Sequence, residues 1–169
     1  IKQVNAETMT FETDLDTFKA DAACVVPAQR AGTIAMAAGV NDGDWCPIMP
    51  ASMASKADPN IYVLGDASVA SSMPKSGFSA NSQAKVAANA IRGELTGSRV
   101  FEPRFANTCW SLIATDDGVK VGASYKAGAE KIDVVDNFVS QGGESDDVRK
   151  ATYEESLGWY AGITSDMFS

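Results

Sequence analysis

The fold prediction starts from Ile61-Tyr62-Val63-Leu64-Gly65-Asp66-Ala67, which follows the turn residues Asp58-Pro59-Asn60. A short, continuous apolar run of this kind is typical of a strand in a parallel sheet that is covered on both faces. Ligands bind at the carboxyl edge of such sheets, and glycine lets a ligand approach the backbone closely. We therefore expect Gly65 and Asp66 to end a strand at a ligand site. An aspartate after a strand is also a common turn or capping residue, so the motif alone leaves both roles open.

A helix is predicted after this strand, from Phe78 to Leu95, closed by Gly97. Alanines at helical spacing give it a small-residue face that is suited to close packing on a sheet. The start of the helix, near Lys75 and Ser76, would direct free N–H groups and the positive end of the helix dipole at a ligand.

The segments before residue 61 are predicted to belong to the same parallel-sheet region, which extends to about residue 97. Residues 1–12 have an extended pattern, and residues 13–17 are expected to form a turn or hairpin connection. The apolar run at residues 20–27 predicts a buried strand, because it is short and contains paired valines. Residues 39–60 are rich in Gly, Asp, Pro and Ser, as in a long connection.

After Pro103 the sequence pattern changes to one typical of antiparallel strands. Three strands are predicted in "NTCWSLIAT", "VKVGASYKA" and "EKIDVVDNF", and the first two are separated by Asp116-Asp117-Gly118, a hairpin sequence. A final helix is predicted from Val148 to Tyr160. The predicted fold class is therefore α/β, followed by an α+β C-terminal domain with antiparallel strands and a terminal helix.

Composition narrows the function classes. The 169 residues carry a net charge of −8, which argues against binding to nucleic acid or to an anionic membrane surface. A cationic protein partner fits this charge better. No apolar run reaches the roughly 18 residues that a membrane-spanning helix needs, so no bilayer-spanning segment is predicted. No signal peptide is found either, although the chain starts at Ile1 and is expected to be a processed or partial product.

The absence of histidine excludes the usual general base, a histidine-ligated zinc site and a C-x-x-C-H haem attachment. The three cysteines, Cys24, Cys46 and Cys109, form no C-x-x-C pair, so no metal site is predicted. From their residue type alone, each is expected to be a small buried side chain. Chemistry in this chain must therefore use carboxylates, thiols, aromatic rings or a bound cofactor.

Several segments together resemble a known family. "ADPNIYVLGDAS" (57–68) resembles the second FAD-contacting motif of the two-dinucleotide-domain disulfide oxidoreductases, and is most similar to that of the flavoprotein subunit of flavocytochrome c sulfide dehydrogenase. The other supporting segments are "ADAACVVPAQRAG", "DWCPI", "MPKSGFSANSQAKVAANAI" and the tail from "FEPRFANTCWSLI" to "GWYAGITSDMF". The resemblance implies the C-terminal part of such a subunit, within a two-dinucleotide-domain FAD/NAD-linked reductase fold.

This resemblance implies three regions: residues 1–45 as the end of an NAD-like domain, 46–97 as the C-terminal part of the FAD-binding domain, and 98–169 as a C-terminal flavin-binding and interface domain. The site residues that it implies have four roles. They are Gly65 and Asp66 at the FAD ribityl and pyrophosphate region; Lys75, Ser76 and Gly77 at the helix start under the pyrimidine ring; Trp159 in the tail near the flavin; and Cys109 as one half of a redox disulfide.

The implied activity is oxidation of sulfide by the redox disulfide, with electrons passing through FAD to a periplasmic c-type cytochrome subunit that carries the haem. The G-x-G-x-x-G fingerprint and the first redox cysteine of such flavoproteins are absent from this sequence. We therefore expect a fragment, a cleaved chain that associates with its N-terminal half, or an incomplete chain. The partner of Cys109 is expected in that half.

Two alternatives remain. A sulfide:quinone oxidoreductase uses the same disulfide and flavin chemistry, but it needs an apolar, membrane-contacting tail. This tail is acidic, with Glu144, Asp146, Asp147, Glu154, Glu155 and Asp166. The second alternative is a non-catalytic module that docks a partner through its antiparallel C-terminal part.

Overall fold

A three-stranded antiparallel sheet forms the first part of the chain in the computed structural model, which describes residues 1–168. Its strands are β1 (Gln3–Asn5), β2 (Thr10–Glu12) and β3 (Thr17–Lys19), in that order. Phe11 and Phe18 are paired across β2 and β3, and their rings stack with centroids 5.4 Å apart. The connection at residues 13–17 is thus confirmed. A turn at residues 6–9 interrupts the extended pattern predicted for residues 1–12, and the sheet is antiparallel, not part of the predicted parallel-sheet region.

The predicted buried strand at residues 20–27 is wrong. This segment contains no strand, Cys24 is exposed, and Val26 is 73% exposed. An apolar run becomes a strand only where other strands offer backbone partners. Among the described residues, this segment's backbone hydrogen bond is that of Ala20 N to Met9 O at 3.2 Å, at its very start. The chain forms two compact units, and the boundary lies between Arg30 and Ala31. The assignment of residues 1–45, 46–97 and 98–169 to domains of a larger reductase stays a prediction.

The second unit begins with a short helix, α1 (Thr33–Ala37), and a pair of two-residue strands. β4 (Cys46–Pro47) pairs in parallel with β5 (Ser68–Val69). The parallel strand predicted at residues 61–67 is wrong. Tyr62 makes a single bridge to Ala54, and the chain then enters a 3-10 turn, Gly65–Ala67. The apolar side chains at the start of this segment pack against the core from a loop.

The predicted helix after this turn is confirmed as α2 (Gly77–Thr96). Ser76 caps its amino end, where the serine oxygen accepts a hydrogen bond from Ser79 N at 3.1 Å. Gly97 ends it in the left-handed conformation that favours glycine, with φ +67°. The buried residues of α2 are Ser79, Gln83, Val86, Ala87 and Gly93, so the predicted alanine face is confirmed only at Ala87.

An antiparallel sheet and a long helix complete the chain, as predicted. The strands β6 (Arg104–Ala114), β7 (Asp117–Ala127) and β8 (Ile132–Val139) lie in sequence order, and α3 (Asp146–Phe168) continues beyond the predicted end at Tyr160. The main core lies between α2, the preceding loop and this sheet. It contains Ile48, Met53, Ala70, Met73, Val86, Ala87, Phe105, Ala123, Tyr125 and Ile132.

The structure therefore confirms a mixed fold with an antiparallel sheet and a terminal helix. The proposed relation to a dinucleotide-binding domain stays a prediction. Among residues 1–168, no helix is both long and apolar enough to cross a membrane.

Candidate functional site

The amino end of α2 is bonded to β6 through one buried amide. The hydroxyl of Ser76 donates to Asn107 Oδ1, and the hydroxyl of Ser79 donates to the same oxygen at 3.1 Å. Asn107 is 3% exposed, so these bonds satisfy a carbonyl oxygen that would otherwise be buried without a partner. Its amide nitrogen donates to Cys109 Sγ at 3.5 Å. The predicted Ser76 and Cys109, which are distant in sequence, are therefore joined by a single intervening side chain.

Cys109 lies in β6 with an exposed side chain and a free thiol. In the sheet it is directly opposite Val121 of β7, which is 51% exposed. A ligand or a second thiol can therefore reach the sulfur. Cys109 is not the buried side chain that its residue type alone predicts.

The other two cysteines differ from each other. Cys46 is fully buried at β4, and burial raises the pKa of its thiol despite the nearby positive charge of Lys75. The buried position predicted for Cys46 is therefore confirmed. Cys24 is exposed, contrary to the buried position expected for it. No disulfide links any of the described residues.

Gly65 lies where the 3-10 turn meets α2. Its backbone N–H donates to Gln83 Oε1 at 2.7 Å, and its φ of +66° favours glycine. A Cβ at this position would lie 3.3 Å from Ala80 Cβ. The glycine predicted to allow close approach of a ligand thus also allows close approach of α2.

Lys75 is hydrogen-bonded to the same turn. Its ammonium group donates to the backbone oxygens of Asp66 and of Ser68, the latter at 3.2 Å. It also lies 3.6 Å from the centroid of the Trp45 ring, a cation–π distance. Desolvation lowers the pKa of Lys75 below the usual lysine value, while the negative charges of Asp66 and Cys46 act in the opposite direction.

A surface pocket lies next to Lys75 and the 3-10 turn at Gly65–Ala67. The predicted residues Gly65 and Lys75 both line it, together with Trp45, Ser68, Met73 and Gln83. Asp66 does not line the pocket, but its side chain is exposed and its carboxylate can accept hydrogen bonds from hydroxyl groups. The space beside Gly77, the first residue of α2, is open.

Three aromatic rings meet beside the amino end of α2. Trp159 of α3 stacks on Phe78 with ring centroids 5.5 Å apart, and Trp110 of β6 lies 5.7 Å from Trp159 and 5.9 Å from Phe78. Trp159 was predicted as a site residue, whereas Phe78 and Trp110 were missed. The sequence feature that could have indicated them is that Phe78 directly follows Gly77 and Trp110 directly follows Cys109.

Glu155 attaches α3 to the sheet next to these rings. Its Oε2 accepts hydrogen bonds from Lys120 Nζ at 2.6 Å and from Trp110 Nε1 at 3.2 Å. The hydrogen bond from Lys120 is the main cause that holds the pKa of Glu155 below its usual value. Asn107 and Glu155 thus make polar contacts that hold α2 and α3 against the sheet near Cys109.

These features can be compared with known families. Residues 101–168 match the family model described as flavocytochrome c sulphide dehydrogenase, flavin-binding. The match spans the three antiparallel strands and α3, and it includes Cys109 and Trp159. The resemblance inferred from the sequence is confirmed for this C-terminal segment. The roles of the individual residues remain predictions, and those before residue 101 lie outside the match.

Within residues 1–168, no group of three or more cysteine, aspartate or glutamate side chains is arranged to hold a metal ion.

Proposed function

We propose that this chain forms part of the FAD site of a sulfide-oxidising flavoenzyme, with Cys109 as one half of its redox disulfide. The supporting observation is that the amino end of α2, the exposed Cys109 and Trp159 lie in one continuous set of contacts. The family match over residues 101–168 names flavin binding and supports a flavin-linked role.

The chain's own residues fit a flavin in three ways. The N–H groups at the start of α2 and the ammonium group of Lys75 would stabilise negative charge at the pyrimidine edge. Gly65 and the exposed carboxylate of Asp66 would face the ribityl and pyrophosphate region, as the resemblance implies. The glycine at position 77, with open space beside it, leaves room for a ring close to the helix backbone.

In the proposed reaction, hydrosulfide attacks one sulfur of the disulfide between Cys109 and a cysteine of the N-terminal half. The disulfide bond breaks, a persulfide forms on one cysteine, and the other sulfur is released as a thiolate. FAD, held by Gly65, Asp66 and the start of α2, would supply the electron acceptor for this thiol chemistry and a route for single electrons to the next carrier. This step needs no histidine, because hydrosulfide is already anionic near neutral pH.

The proposed electron acceptor is a c-type cytochrome subunit in the periplasm. This chain contains no histidine and no C-x-x-C-H sequence, so the haem c would belong to that partner. The net charge of −8 would attract a cationic partner during association. The N-terminal half of the flavoprotein, which supplies the second cysteine and the phosphate fingerprint, is the other proposed partner.

The test is the flavin content of the protein purified in its native assembly, compared between wild type and Asp66→Ala. We expect flavin absorbance in the wild type and clearly less flavin in the variant after gel filtration, because the carboxylate would no longer bind the cofactor's hydroxyl groups. Asp14→Ala is the matched control, since Asp14 is an exposed aspartate whose ion-pair partner is Lys2.

Three results would contradict parts of the proposal. A colourless assembly would leave only a partner-docking module. Full flavin retention in Asp66→Ala would remove Asp66 from the site. Reduction of an added quinone, without reduction of a c-type cytochrome, would favour a sulfide:quinone oxidoreductase.

A further inference from the structure

One buried amide connects the start of α2 with the thiol of Cys109. Asn107 could in principle place either end of its amide next to the sulfur, because the oxygen and nitrogen differ little in size. In the structure both serine hydroxyls bond to its oxygen, and its nitrogen lies next to the sulfur. Ser76 Oγ already accepts a hydrogen bond from Ser79 N, so its proton is free to be donated to Asn107 Oδ1, and Ser79 donates to the same oxygen.

The amide nitrogen of Asn107 faces Cys109 and donates to its Sγ at 3.5 Å. The result is a continuous chain of donors that ends at the sulfur: the Ser79 backbone N–H donates to Ser76 Oγ, the Ser76 hydroxyl to Asn107 Oδ1, and the Asn107 amide to Cys109 Sγ. The chain begins at the positive end of the α2 dipole. Hydrogen bonds in such a chain polarise one another in the same direction.

We propose that Asn107 is a positioning residue that holds Cys109 Sγ by a hydrogen bond and stabilises its thiolate form. This inference adds a role to the proposed redox function of Cys109 and rests on that function for its biological meaning. A thiolate is both the nucleophile and the leaving group in thiol–disulfide chemistry, so a donor aimed at this sulfur favours its release from a disulfide.

One further titratable side chain interacts with the sulfur, Tyr125 of β7. Burial raises the pKa of Tyr125, and the negative charge of Cys109 raises it further. Because free tyrosine already titrates near pH 10, Tyr125 stays neutral over the range in which a thiol is usually titrated. Of Tyr125 and Asn107, it is therefore the amide of Asn107 that stabilises negative charge on the sulfur, through its hydrogen bond.

The test is the alkylation rate of Cys109 by iodoacetamide in the 169-residue chain, followed by peptide mass analysis. Cys24 is exposed, lies in the other compact unit and serves as the internal reference thiol. Asn107→Asp keeps an oxygen acceptor for the two serine hydroxyls but replaces the amide donor with a second oxygen. We expect it to slow alkylation of Cys109 relative to Cys24 by about three- to tenfold near neutral pH, as loss of a charge-assisted bond implies.

A second variant separates the lost donor from the added negative charge. Asn107→Ala adds no charge and exposes the sulfur more, so a purely steric role of Asn107 predicts faster alkylation. Loss of the donor predicts slower alkylation.

Ser82→Ala is the matched control, because Ser82 Oγ accepts from Ala106 N at 2.9 Å and joins the same two elements without contact to Cys109. Its Cys109 rate should equal that of the wild type. If the Asn107 variants do not fold, Ser79→Ala removes one hydroxyl donor and should produce a smaller decrease. Unchanged or faster Cys109 alkylation in the folded variants would overturn the proposal. None of these rates depends on flavin or sulfide, so a failure here is distinct from a failure of the proposed enzymatic function.

Discussion

Replacement of Glu155 by glutamine tests how α3 is held beside the candidate site. The substitution preserves the shape of the side chain but removes the charge that binds Lys120 Nζ at 2.6 Å and Trp110 Nε1 at 3.2 Å. The side chains of Glu155 and Lys120 are 51% and 29% exposed, so solvent screens their attraction. An ion pair of this exposure contributes up to about 1 kcal/mol. We expect Glu155→Gln to lower the free energy of unfolding by about that amount at neutral pH.

The pH dependence of this loss has a definite sign. Because Lys120 holds the pKa of Glu155 below its usual value, the charged carboxylate stabilises the folded state. The stabilisation is fully present above the pKa of an unfolded glutamate, about 4.3, and disappears as the pH falls through the lower folded value. The difference between wild type and Glu155→Gln should therefore be largest near neutral pH and shrink below about pH 4.

Urea denaturation followed by tryptophan fluorescence, at several pH values, measures this difference. Glu154→Gln is the matched control, because Glu154 is the neighbouring exposed glutamate of α3 and has no hydrogen bond to Trp110 or Lys120. Its effect should remain within about 0.5 kcal/mol. Equal losses in the two variants, or a loss for Glu155→Gln that persists unchanged at low pH, would refute the reasoning.

Two glycine substitutions test the local geometry of the fold. In a thermal unfolding assay, Gly65→Ala should destabilise the chain by about 1–2 kcal/mol, because alanine is unfavourable at φ +66° and its Cβ would press on Ala80. Gly142→Ala is the control and should be nearly neutral, because the space beside Gly142 is open. Gly118→Val should lower the free energy of unfolding by about 1–3 kcal/mol, because a Cβ at this position would already lie 3.0 Å from Tyr153 N of α3. Unchanged stability and tryptophan fluorescence would show that α3 does not pack closely at this position.

Sequence reasoning succeeded where the determining signals are local. α2 follows from its capping residues Ser76 and Gly97, since a cap and a left-handed glycine act within a few residues of the helix end. The hairpin of β6 and β7 follows from two alternating segments around a turn at Asp116. These elements needed no knowledge of distant contacts.

It failed at residues 20–27 and 61–67 for one physical reason. Apolar composition records a tendency to be buried, but a strand also needs hydrogen-bonding neighbours, which only the folded chain provides. In the second segment Gly65 adopts a left-handed conformation and turns the chain into a 3-10 turn. The motif marked the correct place in the chain, although it assigned the wrong local conformation.

The candidate site was predicted in part. Ser76 and Cys109 were named from the resemblance, yet the amide that joins them, Asn107, has no signal in the sequence because its partners lie on another element. The same holds for the ring contacts of Trp159 with Phe78 and Trp110. Contacts between residues far apart in the chain become visible only once the helix and the sheet have been placed.

The most direct measurement of the central claim is anaerobic addition of sulfide to the protein in its native assembly, monitored by flavin absorbance. In the wild type, sulfide should bleach the flavin. Cys109→Ser should retain the flavin but fail to bleach, because no disulfide can form at this position, and Cys24→Ser should behave as the wild type. Equal bleaching by sulfide in wild type and Cys109→Ser would contradict the account.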